Sequence, residues 1–131
     1  MPGLIDCHVH VTAGTAHLSE LAEWSPLYVA AHASAILRGM LERGFTTVRD
    51  AGGADFGLAQ AVEEGLFEGP RLVFGGHALS QTCGHGDMRS RALTSVEPGY
   101  PYAGLGRICD GVAEVRQAVR DEIKRGQRTS N

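Results

Sequence analysis

Apolar and polar positions along the chain change period in a repeating order: a short strand-like run, then a segment with helical spacing. The first strand covers about residues 4–11, "LIDCHVHV". Ser25-Pro26 then reads as an N-cap with proline at the first helical position. Val29, Ala33, Ile36 and Met40 follow at intervals of four, three and four, predicting a helix over about 26–43 that Gly44 closes. "FTTVRD" at 45–50 is β-branched and aromatic and forms the second strand. After the loop "AGGADFG", Leu58, Val62 and Leu66 mark a helix over about 56–67, which Glu68-Gly69-Pro70 breaks. "RLVFGG", about 71–76, is the third strand.

A long irregular stretch follows, from His77 to Cys109, with "SQTCGHGD" near its start. Loops of that length inside a compact domain are usually functional or disordered. Asp110 can cap a last helix over about 111–125, with Val112, Val115, Val119 and Ile123 as its apolar stripe. Strands alternating with helices imply an α/β fold with a parallel sheet and right-handed crossovers. Three strands leave two unprotected sheet edges, through which self-association is expected. The last helix should lead into a fourth strand, which the tail "GQRTSN", ending at Asn131, does not supply.

Composition narrows the function. A net charge of −3 and a pI near 6.0 offer no basic field for nucleic acid or an anionic membrane. Cys7, Cys83 and Cys109 are odd in number, far apart and without a CxxC pair. That opposes both a disulfide framework and a zinc knuckle, and favours a reducing compartment. Neither a basic segment leading into an apolar stretch nor a membrane-length apolar run is present, so a cytoplasmic protein is expected.

Chemistry concentrates in the opening strand. Strand alternation places Asp6, His8 and His10 on one face with Leu4, and Ile5, Cys7, Val9 and Val11 on the other. Two residues apart in a strand is roughly 6.5–7 Å at Cα. Imidazoles at that separation can converge on one cation, at about 2.0–2.1 Å from each nitrogen. The alternative is a half-exposed strand whose polar face happens to carry histidine. The apolar flank suggests burial on both sides, where imidazoles need partners.

"PGLIDCHVHV" resembles the first barrel strand of the amidohydrolase superfamily, metal-dependent hydrolases built on a (β/α)8 barrel. "MLERGFTTVRDAGG" resembles that group's first helix end and second strand. "GPRLVFGGHALSQTCGHGD" resembles the third strand and following loop of its imidazolonepropionase-like and prolidase-type dipeptidase branch. The resemblance implies that residues 1–126 form the first three βα units of the barrel, incomplete and unclosed, and that 127–131 are a tail without family character. It implies that His8 and His10 bind a divalent metal, zinc being the expected ion, with one or two ions in a complete enzyme. The superfamily's other ligands are a carboxylated lysine on strand four, histidines on strands five and six, and an aspartate on strand eight that also serves as general base. None of these positions lies in this sequence, and the general base is expected beyond Asn131. Lys124 is no substitute, because it belongs to a basic helical face with Arg116 and Arg120.

The implied reaction is hydrolysis of an amide-type C–N bond, in a dipeptide or another small molecule, with no catalytic residue inside these 131 residues. A complete barrel takes about 250 residues, so a fragment inactive by itself is expected, completion by a second chain being the other option. A rival reading is a non-catalytic α/β module that binds a partner or weakly holds metal. Asp6 is either an acceptor that orients a histidine or a polar residue bonded to nearby backbone. The resemblance places His85 near substrate, with Asp87 beside it on the same loop; a loop-shaping turn is the alternative. His77 is expected to be structural. Arg49 and Asp50 are expected to form a local ion pair or loop anchor, His17 and His32 to be ordinary, and Cys7 to pack in the core.

Overall fold

The structure is a computed structural model and describes residues 2–92 and 105–126. Three parallel strands, β1 (Leu4–Val9), β2 (Phe45–Asp50) and β3 (Arg71–Phe74), lie side by side in that order. Helices α1 (Pro26–Glu42) and α2 (Phe56–Glu63) pack against the sheet. The core between them joins Ala33, Leu37 and Met40 of α1, Leu58 of α2, Val48 and Leu72 of the sheet, and Val11 and Ala54 just past strand ends. The buried row on α1 is Val29, Ala33, Leu37 and Met40, with Ile36 at its flank.

The elements end where backbone groups find other partners. Gly44, at φ +92°, follows α1 and turns the chain into β2; such a left-handed position suits glycine. Asp55 caps α2, its Oδ1 accepting the Leu58 N–H at 3.0 Å. α2 stops at Glu63, earlier than its apolar spacing predicts. The N–H groups of Leu66 and Phe67 both turn back to the Ala61 carbonyl, Gly65 sits at φ +73°, and Leu66 is left 72% exposed. β1 ends at Val9 rather than Val11, because the Val11 N–H leaves the ladder for the Asp50 carboxylate.

The stretch expected to be irregular contains a second sheet. β4 (Ala78–Ser80) pairs in parallel with β5 (Gly106–Ile108). Backbone bonds from Ala78 N–H to the Leu105 carbonyl and from Cys109 N–H to the Ser80 carbonyl extend this pairing at both ends. Helix α3 (Gly111–Lys124) follows. Asp110 takes its N-cap position but caps nothing with its side chain; instead the Asp110 N–H donates to Glu114 Oε2 at 2.7 Å. The buried residues of α3 are Ala118 and Glu122, whereas Val112, Val115 and Ile123 of the expected stripe are exposed.

β1 and β3 each have a neighbour on one side only among the described residues. β1 is accordingly not buried on both faces: Ile5 is 67% exposed, and Cys7 lies exposed rather than packed in a core. Residues 93–104 fall outside the described residues, as does the tail 127–131, through Asn131, for which no strand or family character is expected.

Candidate functional site at the carboxyl ends of the strands

His8 is the penultimate residue of β1, and His10 follows the strand directly. The pairing of β1 with β2 shifts register between Asp6 and Val9, so alternation alone does not set the side-chain directions. The contacts do. Val9 and Val11 pack into the helix-side core, while the rings of His8 and His10 meet edge to face, with centroids 5.3 Å apart and planes at 84°.

The His10 ring is held from one side. Its Nδ1 lies 3.0 Å from the Gly52 carbonyl oxygen, in the loop after β2. A carbonyl can only accept, so Nδ1 carries the hydrogen and Nε2 presents its lone pair. Asp6 touches neither ring. Its Oδ1 accepts the backbone N–H of His8 at 3.0 Å, which trims the end of β1.

Asp50, the last residue of β2, is fully buried. Its Oδ2 accepts the Val11 N–H at 2.7 Å, and its Oδ1 accepts those of Gly52 at 2.9 Å and Ala54 at 3.1 Å. Burial pushes its pKa up, while these three N–H groups and the nearby His10 pull the other way. Arg49, beside it, makes no ion pair with Asp50 or any other described carboxylate, and its Nε is buried without a hydrogen bond.

The loop after β4 holds the other sequence candidates. Asp87 is gripped by Arg89 through two 2.7 Å bonds and also accepts the Cys83 N–H at 2.9 Å. The Arg89 guanidinium holds the Asp87 carboxyl well below its ordinary 3.8. Asp110 pins the same loop by accepting from the Thr82 N–H at 2.9 Å and hydroxyl at 2.5 Å. Asp87 therefore shapes the loop. His85 stands exposed on it, with no hydrogen bond to its ring among the described residues.

His77 is engaged by α3. Its Nδ1 and backbone N–H face the two carboxylate oxygens of Glu122 at 3.1 and 3.4 Å. Arg125 completes this cluster, 3.1 Å from Glu122 Oε1. Gly76 sits at φ +67°, and a Cβ there would strike Glu122 Oε2. Glu122 has no distinguishing signal in the sequence except that it stands one turn from Ala118, a position that only the packing shows to be buried. His32 stacks in an aromatic cluster with Trp24 and Tyr28, and His17 precedes a 3-10 turn over Leu18–Glu23.

Among the described residues no group of three or more histidine, cysteine, aspartate or glutamate side chains converges as a cation site. His8 and His10 bring two imidazole rings together at a separation from which both can direct a nitrogen to one point.

Parallel strands, crossover helices packed against them, and polar groups gathered past the strands' carboxyl ends define a class: the opening segment of a (β/α) barrel. Comparison supplies the family. The chain belongs to the amidohydrolase family, whose model matches residues 1–131. It is 37% identical over 138 residues to an ochratoxinase of Aspergillus niger, an alignment covering 96% of this chain and 29% of that protein. A crystal structure of a prolidase complexed with N-methylphosphonate-L-proline matches at TM-score 0.90 and 52% identity, over 97% of this chain and 32% of that one. The crystal structure of A. niger ochratoxinase matches at TM-score 0.81 and 36% identity, over 97% of this chain and 32% of that one. The chain thus spans about three tenths of its relatives' length, and its three βα units form an unclosed part of their barrel.

Proposed function

We propose that this chain contributes two histidine ligands, His8 and His10, to the divalent-metal site of a hydrolase that cleaves amide-type C–N bonds in a dipeptide or another small amide. The observation that carries the reading is the meeting of the two rings at 5.3 Å. Two imidazoles bound to one ion at about 2.0–2.1 Å per nitrogen place their ring centres roughly 5 Å apart. Neutral imidazoles suit zinc, and the His10 tautomer leaves Nε2 available.

A bound divalent cation supplies Lewis acidity there, polarising the scissile carbonyl and acidifying a water molecule. This chain's own part is to aim two nitrogens, to shape the site's rim with the Asp87–Arg89 loop, and to present His85 toward a substrate. The general base and the remaining ligands belong to strands beyond these three units, and so beyond Asn131, a reading supported by a chain that spans 29–32% of its relatives. The two strand edges open among the described residues also favour self-association of the chain by itself.

The 131 residues alone should show no metal-dependent hydrolysis of dipeptides. Turnover by the purified chain, abolished by a chelator and by His8→Ala, would overturn that. In a full-length protein carrying these residues, His8→Ala and His10→Ala should each cut activity and metal content together. Full activity with full metal content in both variants would remove the metal reading.

A second reading is a non-catalytic α/β module that binds a partner or, through the two adjacent imidazoles of His8 and His10, weakly holds metal. It predicts a sharp, reversible thermal transition from a monomer. Aggregation on heating, followed by light scattering, would count against it.

A further inference from the structure

The His10 ring is reached by two short chains of bonds, and both begin at one carboxylate. Gly52, whose carbonyl oxygen lies 3.0 Å from His10 Nδ1, donates its own N–H to Asp50 Oδ1 at 2.9 Å. Val11, the residue after His10, donates its N–H to Asp50 Oδ2 at 2.7 Å. A third bond, from the Ala54 N–H at 3.1 Å, fixes the far side of the same loop. The loop has little room to shift. Gly53 donates to the Gly76 carbonyl at 2.8 Å, and a Cβ at Gly52 would lie 3.0 Å from the Leu105 carbonyl and 3.2 Å from Ala78 Cβ.

A fully buried carboxylate is a poor choice for stability alone, because an apolar residue would avoid the desolvation cost. Of its three acceptor bonds, two go to its own loop after β2, at Gly52 and Ala54, and the third ties that loop to Val11, just past the histidine-bearing strand. We propose that Asp50 is a positioning residue: through the Gly52 carbonyl and the Val11 amide it holds His10 in the Nδ1–H tautomer, with Nε2 aimed beside the His8 ring. Asp50 itself touches neither ring. The value of that aim to a metal rests on the function proposed above; the tautomer control stands without it.

The test is long-range 15N–1H NMR of the histidine rings in the 131-residue chain, at a pH where they are neutral. Wild-type His10 should show the hydrogen on Nδ1. Asp50→Asn keeps the shape but turns an amide N–H₂ against a backbone N–H, so the tautomers should mix, with the His32 signals, remote in the Trp24–Tyr28 cluster, unchanged. Asp50→Glu keeps the charge with a longer reach and should also lose the preference. Asp55→Ala removes the α2 cap in the same loop region and should leave His10 as in wild type. Zinc titrations should show affinity falling about tenfold or more in Asp50→Asn.

A wild-type His10 found in the Nε2–H form overturns the proposal, whether or not any variant folds. So does a folded Asp50→Asn or Asp50→Glu chain with the wild-type tautomer. Zinc failing to bind wild type while the tautomer results hold would remove the metal reading and leave the positioning role in place.

Discussion

Helices α1 and α3 carry similar apolar stripes and meet opposite fates. In α1 the stripe is buried: Val29, Ala33, Leu37 and Met40 face the sheet, with Leu37 at 0% exposure. In α3 the stripe faces outward except for half-buried Val119, Val112 being 73% and Ile123 60% exposed, while Ala118 and Glu122 are buried instead. Periodicity identifies a face that needs cover but not what covers it. α1 finds β1 and β2 within these residues. Cover for α3 is not among the described residues, in a chain that spans about three tenths of its relatives' length. Besides buried Ala118, what joins α3 to the rest is polar: the Glu122 carboxylate on His77, past β3, and the Arg107–Asp121 pair at 2.9 Å.

The largest effect separating the two helices should come from truncating their stripes. Leu37→Ala leaves a cavity in the core and should cost about 2–5 kcal/mol. Ile123→Ala, made in the same chain, should stay within about 0.5 kcal/mol. Urea unfolding of both variants measures this. Equal losses would mean that the α3 stripe is covered in solution, by self-association or by residues outside those described.

A smaller effect should follow from breaking the polar anchor. Glu122→Ala leaves the His77 ring and N–H and one Arg125 contact without their acceptor. The groups left behind are only part-buried, so the loss should be about 1 kcal/mol. Hydrogen exchange should locate that loss in α3 and the loop after β3, with α1 unchanged. Faster exchange throughout the chain would show instead that α3 is an integral part of the core.

The same contrast explains which features are legible in the sequence. The three βα units can be read because strand and helix periods alternate, and the His8–His10 pair because its motif sits at a strand end. β4 and β5 cannot be read, since each is three residues long and pairs with a segment 28 positions away, as Ala78 does with Gly106. Asp50 reads as a loop anchor, which it is; that its anchor reaches the His10 ring depends on the Gly52 carbonyl, a backbone group that no residue pattern marks. Cys7 reads as a core residue from its apolar side of β1, yet it is exposed because β1 is an edge among the described residues. Glu122 is illegible for the converse reason. A charged side chain on an amphipathic helix looks solvated until a glycine at φ +67° opens space for it.

The smallest effect concerns the polar loop beside α3, and its sign follows from charge. Arg89 holds the Asp87 carboxyl below its ordinary 3.8, so the folded loop binds the proton more weakly than the unfolded chain does. The stabilisation is complete above the ordinary aspartate value and is lost as pH falls through it toward the lower folded value. Arg89 stays charged throughout, so the change belongs to the carboxylate. The Cys83 N–H, which donates to Asp87 Oδ2 at 2.9 Å, reports on it directly. Followed by NMR from about pH 7 to about pH 2.5, its shift should hold steady through 3.8, where an ordinary aspartate is half titrated, and only begin to move at the acid end of that range. Asp87→Asn should abolish that movement while amides of α1 titrate as in wild type. A midpoint above 3.8 would mean that the Arg89 pair does not persist in solution, and the loop bearing His85 would then lack the fixed shape that its polar bonds give it.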